Sequence, residues 1–119
     1  MRTIKFRAQD IASNKWLYGD LRHHKDDVCI FEQGGTKGEL VKRDTIGQFV
    51  GLKDKNGTEI YEGDIFRLND HHIRYVVEYE EGVFHGKQIG SSSYVGLPYW
   101  LKDVVIVGNK YDNPELLKK

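Results

Sequence analysis

Three carboxylates, Glu59, Glu62 and Asp64, fall close together around Gly63. Oxygen ligands gathered at a turn suit a hard divalent ion, and an ion held there would be the working part of a metal-dependent hydrolase. Carboxylates at exposed turns are also ordinary, because they fit turn geometry without any ligand. That plainer reading is preferred here. Just upstream, Asp54-Lys55-Asn56-Gly57 brushes against a calcium-loop pattern. With Gly57 at the sixth loop position, Leu52 takes the first and Gly63 the twelfth, where carboxylates are required, so the calcium reading fails.

The remaining chemistry is sparse. Histidines come as His23-His24, His71-His72 and His85. Adjacent residues on a strand point to opposite faces, so neither pair chelates one metal from a strand. None is spaced with the lone Cys29 as a zinc site requires. Cys29 lies in the apolar run Val28-Cys29-Ile30 and reads as a small core residue. Ser91-Ser92-Ser93 lacks the glycine pattern of a nucleophile elbow, and no phosphate-cradling glycine motif precedes a helix. The residues give no catalytic constellation, no metal site and no cofactor site, so the reading leans away from an enzyme.

Lys37, Lys42, Arg43, Lys53 and Lys55 flank Phe49, and an aromatic beside basic residues is a possible stacking platform for nucleic acid. Asp44, Asp54 and Glu59 dilute that patch. The 18 basic residues are balanced by 18 acidic ones, so net charge gives no general attraction to polyanions, and a solvated charged face is the better account. The candidate binding surface is Lys53, Asp54, Lys55, Asn56, Glu59, Glu62 and Asp64.

The elements that must position these residues follow from two turns. Asn56-Gly57 between apolar runs is a strong hairpin signal. A two-residue loop would pair Leu52 with Tyr61. A three-residue loop, with Gly57 in the left-handed region, pairs Leu52 with Ile60 and sets Lys53 opposite Glu59. Matched apolar and opposed charged pairs are each worth about 0.2–1 kcal/mol, which favours the three-residue loop. In Tyr61-Glu62-Gly63-Asp64, Gly63 supplies the positive φ of a type II turn, and Asp64 opens the strand Ile65-Phe66-Arg67-Leu68.

Elsewhere, Thr3 to Gln9 alternates as a half-buried strand, Ser13-Asn14-Lys15 turns, and Trp16 to Leu21 returns. His23 to Asp27 reads as a polar loop, Val28 to Phe31 as a short strand, and Gln33 to Gly38 as a glycine-rich hairpin end. Ile73 to Glu80 alternates as a long strand, and Glu81-Gly82 turns it into Val83-Phe84-His85. Pro98 to Leu101 fits one helical turn. Val104 to Val107 is β-branched or apolar throughout, which predicts a strand buried on both faces. Asn113 or Asp112 can cap a helix, Pro114 suits its first position and Glu115 its positive end. The predicted fold is all-β, an SH3-like barrel or strongly bent antiparallel sheet with a short C-terminal helix.

The run Gly51-Leu52-Lys53-Asp54-Lys55-Asn56-Gly57, continued by Glu59-Ile60-Tyr61-Glu62-Gly63-Asp64-Ile65, resembles the signature of the YopX family. Phe6-Arg7-Ala8, Gly108-Asn109 and Asn113-Pro114-Glu115-Leu116-Leu117 fit the same family, so the likeness spans the whole chain. Gln9 stands where the family usually has Trp, and Lys110 where an apolar residue is commoner. The resemblance implies a small phage- or prophage-encoded β-barrel protein in the bacterial cytoplasm. It carries over no activity and no catalytic residue.

A chain of 119 residues is expected to form one domain, residues 1–119. The N-terminus has no apolar core of signal-peptide length, and no apolar run approaches the ~20 residues of a membrane helix, so no membrane association is expected. One cysteine permits no internal disulfide, which fits a reducing compartment. A C-terminal helix this short does not persist alone, the isolated threshold being roughly 12–15 residues, so Leu116 and Leu117 must dock. With Tyr94, Tyr99 and Trp100 they form the candidate interface of a homo-oligomer, through residues 94–101 or 113–117. A binding or assembly module is the leading functional expectation. A nucleic-acid-binding accessory protein stands second and a hydrolase third.

Overall fold

Alternating runs become strands wherever both neighbours can complete a ladder. The computed structural model describes residues 3–32 and 34–118. Met1 and Arg2 at the N-terminal strand's approach, Gln33 of the glycine-rich turn, and Lys119 of the basic terminus lie outside the described residues. The strands are β1 (Phe6–Gln9), β2 (Trp16–His24), β3 (Asp27–Glu32), β4 (Gly38–Leu40), β5 (Gly47–Lys53), β6 (Glu59–Tyr61), β7 (Asp64–Leu68), β8 (Arg74–Glu80), β9 (Val83–Gln88), β10 (Tyr94–Gly96) and β11 (Val104–Asn109). One α-helical turn, α1 (Leu97–Trp100), precedes β11. The fold is all-β. Its strands form two antiparallel sheets rather than the closed barrel that was one form of the expectation.

The chain divides into two units, one running to Phe49 and the other from Val50. In the first, the order is β4-β3-β2-β1-β5. Gly19 lies opposite Phe6 on one side and Glu32 on the other. Ala8, Val28, Ile30 and Val41 are buried there, with Phe6, Leu17, Leu21 and Ile46 packed around them. The Arg7 guanidinium covers the Trp16 ring at 4.7 Å. Two expectations need correction. His23 and His24 continue β2, and the turn is confined to Lys25 and Asp26, because Lys25 takes a left-handed φ of 56° and closes it tightly. Cys29 is only partly buried. Its neighbours Val28 and Ile30 take the core face, and strand alternation sends Cys29 to the other.

In the second unit the order is β10-β9-β8-β7-β11, and the second half of β5 leads into β6. Ile60, Phe66, Tyr75, Val77, Leu97 and Val104 form its core, each fully buried apolar side chain contributing roughly 1.5–3 kcal/mol. Phe66 stacks on Tyr75 at 5.2 Å between ring centroids. That stack needs Gly86, since a Cβ there would lie 2.3 Å from the Phe66 ring. β11 is buried on both faces only at Val104; Val105, Ile106 and Val107 are half-buried, and a register shift falls between Ile106 and Gly108. The expected C-terminal helix is a single 3-10 turn, Pro114–Leu117. Asn113 does not cap it. Its side-chain oxygen accepts the Asn109 N–H at 3.1 Å instead. Among the described residues no helix is long and apolar enough to cross a membrane.

Candidate functional site

The geometry around residues 47–66 is set by one buried side chain. Asp54 is 7 % exposed. Its Oδ1 accepts the N–H groups of Asn56 at 2.9 Å and Thr58 at 2.8 Å. Its Oδ2 accepts the Ile106 N–H at 2.9 Å. The Asp54 N–H donates to the Thr58 carbonyl at 2.8 Å and the Gly57 N–H to the Asp54 carbonyl at 3.0 Å. These bonds close a three-residue loop, Lys55-Asn56-Gly57, with Gly57 at φ 84°. Continued outward along the ladder of β5 and β6, the Asp54–Thr58 closure sets Lys53 opposite Glu59 and Leu52 opposite Ile60, the register that charge and apolar matching favour. The Lys55 N–H donates to the Val104 carbonyl at 2.9 Å, and its ammonium reaches the Asn69 side-chain oxygen at 3.0 Å.

The second turn is held by another buried carboxylate. Asp64 Oδ2 accepts the Tyr61 N–H at 2.7 Å, Gly63 has φ 93°, and the Gly63 N–H donates to the Val77 carbonyl. Glu59 accepts the Tyr61 hydroxyl at 3.1 Å. The carboxylates of Glu59 and Asp64 therefore serve the turn, and the oxygens of Glu59, Glu62 and Asp64 do not gather into an ion-binding set among the described residues. Asp54 and Asp64 are both buried, and both accept from backbone N–H groups.

What the hairpin does present is a shallow hollow lined by Lys53, Asp54, Lys55, Pro98, Tyr99, Leu101 and Lys102. Candidate residues from two separate stretches thus meet. Leu97 anchors α1 in the core, completely buried, and leaves Tyr99 80 % and Trp100 38 % exposed. Their rings meet edge to face at 5.2 Å. Lys102 was not anticipated; its only sequence signal is its place directly after the predicted helical turn. The other candidate interface residues lie elsewhere. Tyr94 is tied by its hydroxyl to Glu80 at 3.1 Å. The tail is tied to its own unit, the Arg74 guanidinium donating to the carbonyls of Leu116 and Lys118, each at 2.8 Å.

A family model described as YopX protein matches residues 5–118. The chain belongs to the YopX family. It is similar to the crystal structure of protein EF1440 from Enterococcus faecalis, with 25% identity, a TM-score of 0.64, and coverage of 99% of this chain and 100% of that one. It shares its fold with protein yopX from Bacillus subtilis, at 20% identity and a TM-score of 0.60, over 100% of this chain and 98% of that one. No curated protein matches it. Gln9 and Lys110 are each held through a backbone N–H. The Gln9 N–H donates to Thr45 Oγ1 at 2.9 Å. The Lys110 N–H donates to the Gly63 carbonyl while its ammonium lies over the Tyr111 ring at 5.3 Å.

Proposed function

We propose that this YopX protein is a non-enzymatic binding module of phage or prophage origin, acting in the bacterial cytoplasm, and that the lysine-lined hollow beside α1 is its contact face. The observation that carries the reading is Tyr99, 80 % exposed beside Trp100 on an anchored turn. Tyr and Trp on a rigid support are the residues that dominate binding energy at protein interfaces. Lys53, Lys55 and Lys102 around them fit an acidic protein segment, while Asp54, the acid in the same lining, is spent on backbone N–H groups. Self-association through this face takes a head-to-tail form, because an isologous contact would oppose lysines to lysines. The family supports the phage setting, and the unpaired count of one cysteine supports a reducing compartment.

Nucleic acid is the second reading, favoured by the same aromatic pair, since exposed rings beside lysines stack on unpaired bases. Fluorescence anisotropy with a labelled oligo-glutamate peptide and with a labelled oligothymidine separates the two. The first reading expects peptide binding that Tyr99→Ala weakens at least tenfold. Oligothymidine binding alone would establish the second, and binding of neither probe, with no concentration-dependent mass by light scattering, would refute both.

A further inference from the structure

A different face of the second unit carries a set of ligating side chains. β8 and β9 are joined by the tight turn Glu81-Gly82, and their register sets Glu78 opposite His85 and Glu80 opposite Val83. Glu78 and Glu80 are two apart on one strand and share a face, the face His85 takes across the ladder. One ligand atom from each of the three lies within 4.8 Å of the others.

The imidazole is the unusual member. His85 Nε2 is buried and has no hydrogen-bond partner. The nearest carboxylate oxygen, Glu80 Oε2, is 3.7 Å away, beyond hydrogen-bond range. Buried polar atoms are nearly always satisfied, and one that is not asks for a missing partner. Around it the side chains are already oriented. The Tyr94 hydroxyl donates to Glu80 Oε2 at 3.1 Å, and its ring meets the His85 ring edge to face at 4.3 Å.

We propose that Glu78, Glu80 and His85 bind a divalent transition cation of the zinc class. An imidazole with two carboxylates suits zinc or its first-row neighbours, whereas calcium and magnesium take oxygen alone. Ligand atoms around a tetrahedral ion with bonds of about 2.0–2.1 Å stand roughly 3.4 Å apart. The Nε2 to Oε2 distance of 3.7 Å is close to that, and Glu80, half-exposed, has freedom to close the remainder. The ion would satisfy Nε2 and neutralise carboxylates that share one strand face. Tyr94 holds Glu80 from outside the ligand set, as hydrogen-bond donors to metal-binding carboxylates do. Three protein ligands leave a position open to water or to a partner's side chain. The site is separate from the hollow beside α1 and stands whether or not that face binds.

The test is calorimetric titration of the full chain with zinc chloride alone. One ion per chain is expected, with affinity falling at least a hundredfold in His85→Gln and about tenfold in Tyr94→Phe, which keeps the ring. If His85→Gln fails to fold, the imidazole nitrogen resonances of the unaltered protein decide. A zinc-dependent shift of His85 Nε2 supports the site. Absence of binding, or shifts confined to His23, His24, His71 and His72, would overturn it.

Discussion

The Asp54 carboxylate and the Ile106 N–H meet at 2.9 Å, joining the signature hairpin to the chain's last strand. That bond comes from the oxygen the loop does not use, so one side chain both shapes the turn and fixes where the turn lies. The lysines of the hollow flank this residue on both sides.

Removing that carboxylate leaves three backbone N–H groups without their acceptor. Asp54→Ala is expected to destabilise the protein by roughly 3 kcal/mol or more, because buried unsatisfied donors each cost about 1–3 kcal/mol. Asp54→Asn keeps one oxygen and should fall between. Urea midpoints measure the effect, and an Asp54→Ala variant within 1 kcal/mol of the parent, on the order of one ordinary hydrogen bond, would mean the contacts are dispensable.

Two glycines should respond oppositely to substitution. Gly57 has a left-handed φ but open space around its missing Cβ, so Gly57→Asn should be mild, and Gly57→Val should cost on the order of 1–2 kcal/mol. Gly86 has ordinary φ and no space, Phe66 standing 2.3 Å from the Cβ position. Gly86→Ala should cost about 1–3 kcal/mol, and trimming Phe66 to Leu should recover part of it. Additive costs in that pair would deny the contact.

Asp10 gives a pH dependence. The Ser13 N–H at 2.8 Å, its hydroxyl at 2.9 Å and the Ala12 N–H at 3.1 Å all bond Asp10 Oδ2. The Ser13 N–H first, then its hydroxyl, hold the Asp10 carboxyl below the ordinary aspartate value of 3.8. A folded pKa below the unfolded one stabilises the fold above the unfolded value, and the contribution disappears as pH falls through the folded one. Asp10→Asn should therefore lower the urea midpoint at neutral pH and leave it unchanged well below pH 3.8. A difference that persists into strong acid would contradict this origin.

Local turn chemistry made much of the fold legible. Asn56-Gly57, Tyr61 to Asp64 and Glu81-Gly82 each fix a register within a few residues, and the strands around them follow. The Glu81-Gly82 turn also contained the pairing of Glu78 with His85, had the register been carried across it. Contacts between distant segments were not legible. Nothing near Asp54 announces Ile106, and charged Asp54 in a turn reads as surface until the N–H groups that donate to it are known. His23 and His24 look like loop residues because an exposed strand edge tolerates polar side chains. The tail is helical where its signals place it, but as a 3-10 turn, and Asn113 bonds Asn109 instead of capping it.

The binding face is tested most directly through Trp100. The chain has two tryptophans, and Trp16→Phe, which keeps an aromatic face under Arg7, leaves Trp100 as the sole indole. Titrating that protein with an oligo-glutamate peptide should give a saturating change in Trp100 emission that weakens with salt. The same titration should be flat when Tyr99→Ala and Lys102→Glu are added. An emission that ignores the peptide, or responds equally in the altered face, would contradict the account.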